Sequence, residues 1–379
     1  MERVRYGIVG TGGMGTGHAR TLQKIEEATL AAVCDIVPSV AEAVGEEFNV
    51  PYTVDYHELI DRDDVDAVVV ATPHYFHPEI AIYAMERGKP VISEKPIAVT
   101  VSAADAMLEA AKRTGTPFAV MHQSRSEPIW QAAHQLVSSG RLGEIYRTML
   151  VYADFRSQAY YNSAGWRATW AGEGGGVLIN QAPHSLDRFA WLGGLPNKVT
   201  AMTATRNHTI EVEDVASALL EYPNGGVGYL YCSTTEWPPT DIMEFSGERG
   251  KLRVVGKEIR FWELPEGVKA FSDTTPEMWA KPPVREVPVE IVEREHGHIA
   301  ILRNMARHIL YGEELIAPGV EGIYTVELIN ACILSGHTGE PVEIPVDRAR
   351  YDALLEELKR ASKPKDVGPD KRITDTVHH

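Results

Sequence analysis

Along the first third of the chain, short apolar runs alternate with longer stretches whose apolar positions recur every three or four residues. Val4–Val9 (VRYGIV), Ala28–Cys34 (ATLAAVC), Asp66–Ala71 (DAVVVA), Pro90–Ser93 (PVIS) and Pro117–Met121 (PFAVM) read as strands. Between them His18–Glu27, Ser39–Phe48, Pro78–Arg87 and Ser102–Arg113 read as helices. Continuous apolar strands fit burial on both faces. Strand and helix in alternation predict a parallel, doubly wound sheet with right-handed crossovers, which takes ligands beyond the carboxyl ends of its strands. After Met121 the pattern changes. Ser126–Ser139 reads as a helix with Ile129, Ala132, Ala133, Leu136 and Val137 on one face, and Ile145–Phe155 as a long strand. Lys198–Thr205, Val215–Tyr222, Val227–Thr234, Asp241–Ser246, Lys251–Val255 and Arg260–Glu263 follow without intervening helices, which predicts an antiparallel sheet. Helices are expected over Gly297–Leu310 and Arg348–Arg360. The fold class is α/β, divided into residues 1–123, residues 124–361 and a polar, proline-bearing tail over 362–379.

Composition narrows this picture. At 379 residues the chain exceeds one ordinary core, so two domains are expected. A formal charge of −16 argues against a nucleic-acid partner, whose phosphates it would repel. Cys34, Cys232 and Cys332 are far apart and odd in number, which predicts no disulfide framework and no metal site, hence a reducing compartment. MERVRYGIVG runs directly into a strand and lacks an apolar signal core, and no apolar run is long enough to span a bilayer. The expectation is a soluble cytoplasmic protein with no membrane partner.

The first strand ends in Gly10-Thr-Gly-Gly-Met-Gly15. Gly10 permits a tight turn, Gly12 lets the backbone approach a pyrophosphate, and Gly15 lets the next helix pack on the strand. Gly13 and Met14 complete the turn. The helix start offers unpaired N–H groups to phosphates. Asp35 ends the second strand about 20 residues later, where a carboxylate accepts the two hydroxyls of a ribose. Ile36 and Val37 follow it, with no arginine for a 2′-phosphate. The expected cofactor is NAD. Thr72-Pro73-His74 and His77 follow the strand Asp66–Ala71 on the same edge, beside the expected nicotinamide. Glu94-Lys95-Pro96 ends the strand Pro90–Ser93 there too. A lysine partly buried beside a positive nicotinamide has a lowered pKa, because desolvation and like charge both disfavour the ammonium. Such a lysine can exchange a proton with a reacting hydroxyl. Glu94 would hold its stem or the surrounding loop.

These segments, GIVGTGGMG, ATPHYFH and SEKPIA, together with GGGVLINQAPHSLD, resemble the Gfo/Idh/MocA oxidoreductase family over Val4 to about Pro345. The resemblance implies a Rossmann domain followed by an α/β domain on a large, mostly antiparallel, open-faced sheet. It implies that Lys95 is catalytic, that Lys95–Pro96 is a cis bond, and that the chain forms a homodimer or homotetramer through the second sheet. His184 carries over as a substrate-binding acid/base. Asn180 departs from the pattern, which has an aspartate there; an amide orients a hydroxyl but does not ionise. Asn180 and His184 are four apart and would share a helix face, with Pro183 kinking the helix. Arg125 matches a cofactor-side position. Tyr160, Tyr161, Trp166 and Arg167, in AYYNSAGWRATW, are candidates for stacking on a sugar or gripping an anionic group. His296 and His298 read as capping or interface residues. The function expected is hydride transfer between a sugar, glycoside or cyclic polyol hydroxyl and NAD. The alternative is NAD-dependent glycoside hydrolysis through transient C3 oxidation and elimination.

Overall fold

The computed structural model describes residues 2–363 and 365. Most of the expected tail therefore lies outside the described residues. The first sheet comprises β1 (Val4–Val9), β2 (Ala28–Cys34), β3 (Tyr52–Thr53), β4 (Ala67–Val70), β5 (Val91–Ser93) and β6 (Phe118–Val120). It is parallel throughout, in the order β3-β2-β1-β4-β5-β6. The order reverses at β1, so the edge beyond β1 and β4 is the crevice where a ligand fits. The strands are apolar because both faces are covered: Val4, Tyr6, Ile8 and Val69 belong to one core layer, Val9, Val68, Val70 and Val91 to the other.

The second sheet comprises β7 (Ile145–Phe155), β8 (Lys198–Ala204), β9 (Val215–Glu221), β10 (Val227–Ser233), β11 (Thr235–Gly247), β12 (Gly250–Val255), β13 (Glu258–Glu263), β14 (Arg285–Val287) and β15 (Val342–Glu343). Its order is β14-β13-β12-β11-β7-β10-β9-β8-β15, and only the pair of β10 with β7 is parallel. One face packs Leu150, Ala218, Leu220, Leu230 and Phe245 against helices. The other leaves Met202, Leu219, Val227 and Tyr229 exposed.

Several elements differ from the sequence reading. The first helix is Gly13–Leu22 rather than His18–Glu27, because the glycine turn itself supplies the opening helical turn. The helix containing His184 is Pro183–Gly193, with Pro183 in its first turn, where a missing N–H costs nothing. It is therefore not kinked by Pro183, and Asn180 sits on the turn before it instead of on a shared helix face. The helix Gly319–Thr338 carries no polar stripe to betray it, because it is buried on nearly all sides. Its Asn330 accepts from Val101 N (3.0 Å) and donates to Val99 O (3.0 Å), fixing it to the end of the first sheet's β5–helix connection. The helix His298–Tyr311 returns to the first sheet, where Leu302 O accepts from Tyr6 Oη at 3.0 Å.

The glycine run 174–176 is fixed by Glu213. A Cβ on Gly176 would meet Glu213 O at 1.9 Å. The Glu213 carboxylate, fully inside the protein, accepts from Gly176 N (3.0 Å) and Leu178 N (3.1 Å). Burial pushes its pKa up to about 7, only partly offset by these backbone N–H groups. The native protein therefore binds an additional proton here between roughly pH 4.5 and 7, and this group's contribution to stability falls as pH rises through that window. Glu213→Gln is expected to flatten that slope, by on the order of 3 kcal/mol between its ends. Urea unfolding at pH 5 and pH 8 for both proteins checks it; parallel pH dependences would refute the assignment.

Candidate active site

The carboxyl edge of the first sheet holds the glycine turn. Gly10 has φ +88°, and its N–H donates to Cys34 O at 2.8 Å, tying β1 to β2. A Cβ on Gly15 would fall 1.9 Å from Gly10 O, so helix and strand touch only because the residue is glycine. Gly12 and Gly13 face open space, with no atom within 4 Å of where a Cβ would stand. Met14 is half exposed beside them. Asp35 accepts from Thr11 N (2.9 Å) and Val37 N (3.0 Å), which sets its carboxylate between the turn and the end of β2. Ile36, the next residue, is 84% exposed and carries no charge for a 2′-phosphate. A cradle of bare backbone at a helix start, with an acid at its flank, fits a dinucleotide having a free ribose.

On the same edge, Thr72 Oγ1 is buried without a partner. His77 does not face the crevice: its ring nitrogens lie against Pro96 O (2.9 Å) and Thr72 O (2.8 Å), and burial lowers its pKa. It braces the Thr72-Pro73 turn against the Glu94-Lys95-Pro96 segment, whose Lys95–Pro96 bond is cis. His74 turns toward the second domain, with Nδ1 3.3 Å from Glu173 O; burial, then His77 and Lys95, push it down to about 3.

Glu94 is not the lysine's side-chain partner. One oxygen meets His18 Nε2 at 2.7 Å and the other accepts from Lys95 N at 3.1 Å. Burial works to raise its pKa, but His18, Lys95 and His298 outweigh it and bring it to about 2. The ring of His298 packs edge-on to His18, with centroids 5.3 Å apart. Lys95 Nζ reaches across to the second domain and donates to Asn180 O at 3.1 Å. Burial lowers its pKa, against the opposing charges of Glu94 and Glu173.

Around Lys95 stand His184, His122 and Gln123. His184 Nε2 is 3.3 Å from Gln123 Nε2, and its Nδ1 is buried without a partner. Burial, then the charge of Lys95, drive its pKa well below the ordinary value, which favours the neutral imidazole. Gln123 Oε1 and Gln181 Oε1 are likewise buried and unpartnered, whereas His122 Nε2 lies 3.5 Å from Asp187 Oδ1. Unsatisfied buried polar atoms are costly unless something binds them, and their convergence marks ligand space. Asn180 Nδ2 donates to Glu173, which leaves its Oδ1 available.

Other expected site residues are engaged elsewhere. Arg125, 1% exposed, is gripped by Asp187 (2.8 and 2.6 Å) and by Glu321, and so ties the segment after β6 to two helices; it is not available to a cofactor. Tyr161 is 1% exposed and bonded to Thr234 Oγ1 at 2.7 Å, a packing position. Arg167 is held by Tyr160 Oη (2.6 Å) and Ser163 Oγ (3.2 Å) and stacks on Trp166, which is 38% exposed. His122 and Gln123 carry no motif in the sequence, although they stand two and three residues after β6 on the ligand-binding edge. Nor does the sequence mark Glu173, Gln181 or the link of His298 to Glu94, which depend on contacts between distant segments. Among the described residues no cluster of metal-ligating side chains occurs, and no helix is long and apolar enough to cross a membrane.

Residues 4–122 match the model of an oxidoreductase family with an NAD-binding Rossmann fold, and residues 130–253 match a GFO/IDH/MocA C-terminal domain. The D-apiose dehydrogenase of Paraburkholderia graminis is 26% identical over 365 residues, covering 93% of each chain. The 2,7-anhydro-N-acetylneuraminate hydratase of Mediterraneibacter gnavus is 28% identical over 260 residues, 67% of this chain and 68% of its own. The WlbA dehydrogenase of Bordetella pertussis, solved in complex with NADH and UDP-GlcNAcA, superposes with a TM-score of 0.76 at 27% identity, covering 91% of this chain and 100% of that one.

Because Gly12 faces space rather than protein, Gly12→Ala is expected to keep the melting temperature within about 2 °C while weakening NAD binding about tenfold or more. Thermal melts and NAD titration by calorimetry check this. Unchanged affinity would show that the open space is not the pyrophosphate's.

Proposed function

The chain belongs to the Gfo/Idh/MocA family of NAD-binding oxidoreductases, and on that premise we propose that it oxidises a hydroxyl of an uncharged sugar, glycoside or cyclic polyol. The observation that supports this is the bond from Lys95 Nζ to Asn180 O at 3.1 Å, with the lysine's charge acting on His184, whose Nδ1 is buried without a partner. NAD, when bound, accepts the hydride. The protein's own part is to take the hydroxyl proton and hold the ring.

Lys95 takes that proton. Its lowered pKa raises the share of neutral amine near neutral pH, and its contact with Asn180 O aims Nζ into the crevice. His184, backed by Gln123, accepts from or donates to an adjacent hydroxyl. Asn180 Oδ1 accepts from a further one. Gln123 and Gln181 offer amide oxygens of the kind polyols satisfy. Arg167, the loop's guanidinium, has the Glu173 carboxylate 3.7 Å from Nη1, and this nearby opposite charge supports an uncharged substrate.

A redox-neutral use of the same chemistry is the second reading, favoured by the similarity to a protein named as a hydratase. There, transient oxidation acidifies a neighbouring C–H, elimination and water addition follow, and the hydride returns.

The exposed apolar residues Met202, Leu219, Val227 and Tyr229 support association of two or four copies through the open sheet face. Sedimentation velocity is expected to show no monomer at micromolar concentration, and Leu219→Lys to shift the population toward monomer.

Lys95→Met is expected to lower kcat by about a hundredfold or more with NAD binding and melting temperature preserved. Mass spectrometry of products, with NADH absorbance followed in the same tube, checks both readings over a panel of sugars, inositols and aryl glycosides. A product two hydrogens lighter with matching NADH supports the dehydrogenase. Released aglycone without NADH supports the second reading, and full turnover by Lys95→Met sinks the role of the lysine in both.

A further inference from the structure

Glu173 lies between the aromatic loop and the glycine run, and it is 1% exposed. Nothing in its sequence surroundings marks it as functional. Its two oxygens are deployed separately: one accepts from Ala168 N at 2.6 Å, the other from Asn180 Nδ2, with Arg167 Nη1 3.7 Å away. Its carbonyl receives His74 Nδ1 at 3.3 Å. Ala168, the residue it holds, has φ +52°, a conformation that a non-glycine residue keeps only when its surroundings enforce it. Through Asn180, whose carbonyl binds Lys95 Nζ, the carboxylate stands one residue away from the amine.

We propose that Glu173 is the positioning residue of the proton-transfer site: it supplies the negative charge that Asn180 does not carry, and it fixes the Asn180 amide so that Oδ1 faces the substrate. This inference rests on the reading of Lys95 as the proton acceptor. When Lys95 takes the hydroxyl proton it becomes an ammonium in a buried site. Glu94, the nearer carboxylate in sequence, has both oxygens committed, to His18 and to Lys95 N. The charge of Glu94 still favours the ammonium, and Glu173 is the second carboxylate that does so, the one supplied from across the crevice and joined to the lysine through Asn180. The charged and titratable groups facing this pair are Glu94 beside the lysine, His74 and His77 from the edge of the first sheet, His298 from the helix covering it, Arg167 and Lys365 from the aromatic loop and its cover, His122 and His184 from across the crevice, and Glu213 beneath the glycine run. Glu94 is the like charge to Glu173 among them, while burial raises the pKa of Glu173 and brings that of Glu213 to about 7.

The amide–carboxylate pair makes a charge exchange possible. Glu173→Gln removes the charge and keeps the shape. Asn180→Asp sets two carboxylates together. The double variant returns a single negative charge to the pair with the two groups exchanged. The experiment is the pH profile of kcat with the substrate found by the product assay, on wild type, both single variants, the double variant and Lys95→Met, with melting temperatures alongside.

In Glu173→Gln the acidic limb is expected to move to lower pH by about half a unit or more, because an ammonium without its counter-charge loses its proton sooner. The plateau is expected to fall about tenfold or more. The double variant is expected to recover the limb and bring the plateau to within about threefold of wild type. A role confined to holding Ala168 would lower the plateau without moving the limb, and no recovery would follow. A limb in the wild-type position in Glu173→Gln, or a double variant no better than the single one, overturns the proposal while leaving Lys95 in place. A limb and turnover that survive in Lys95→Met overturn the reading on which it rests, and this proposal with it.

Discussion

An ammonium taken out of water must find fixed partners or lose its proton, and the architecture around Lys95 follows from that constraint. Desolvating such a charge costs several kcal/mol. Here the first sheet delivers the lysine at the end of β5, but its hydrogen-bond acceptor and an offsetting carboxylate belong to the second domain. Neither domain alone makes the site. The glycine run 174–176, clamped by Glu213 from beneath, brings Asn180 to the lysine, and the helix Gly319–Thr338 keeps both sheets in register with each other.

The parallel sheet is readable from the sequence because its signals are local. A buried strand is apolar at successive positions, and a glycine turn is a short pattern of small residues. The second sheet is readable as an unbroken succession of strands. What stays hidden obeys the same logic in reverse. Tyr52–Thr53 is too short to show a period, and Gly319–Thr338 is buried on nearly all sides, so it has no stripe to detect. Pro183 reads as a kink only if its helix begins earlier; at the first turn the same proline starts the helix.

The site is legible to the extent that it lies at strand ends. Gly10, Gly12, Gly15, Asp35 and Lys95 each follow the carboxyl end of a parallel strand, where chain position alone implies proximity. Glu173 cannot be found that way. Its meaning comes from Asn180 and Ala168, and only the folded loop brings those together. Arg125 and Tyr161 show the opposite case. Their types suit a binding site, but Asp187, Glu321 and Thr234 absorb their polar groups in the interior.

The bond between Tyr6 and Leu302 spans 296 positions of the chain. It has a consequence for the protein during its synthesis. The strands of the parallel sheet leave the ribosome long before the helix His298–Tyr311 that covers one of its faces. Until then Tyr6, Ile8 and Ala119 lack the Ile301, Leu302 and Met305 side chains that complete their layer. Closing such distant contacts is slow, and uncovered apolar strands invite association with other chains. The last core layer of the parallel sheet is therefore sealed only once the helix His298–Tyr311 has been translated.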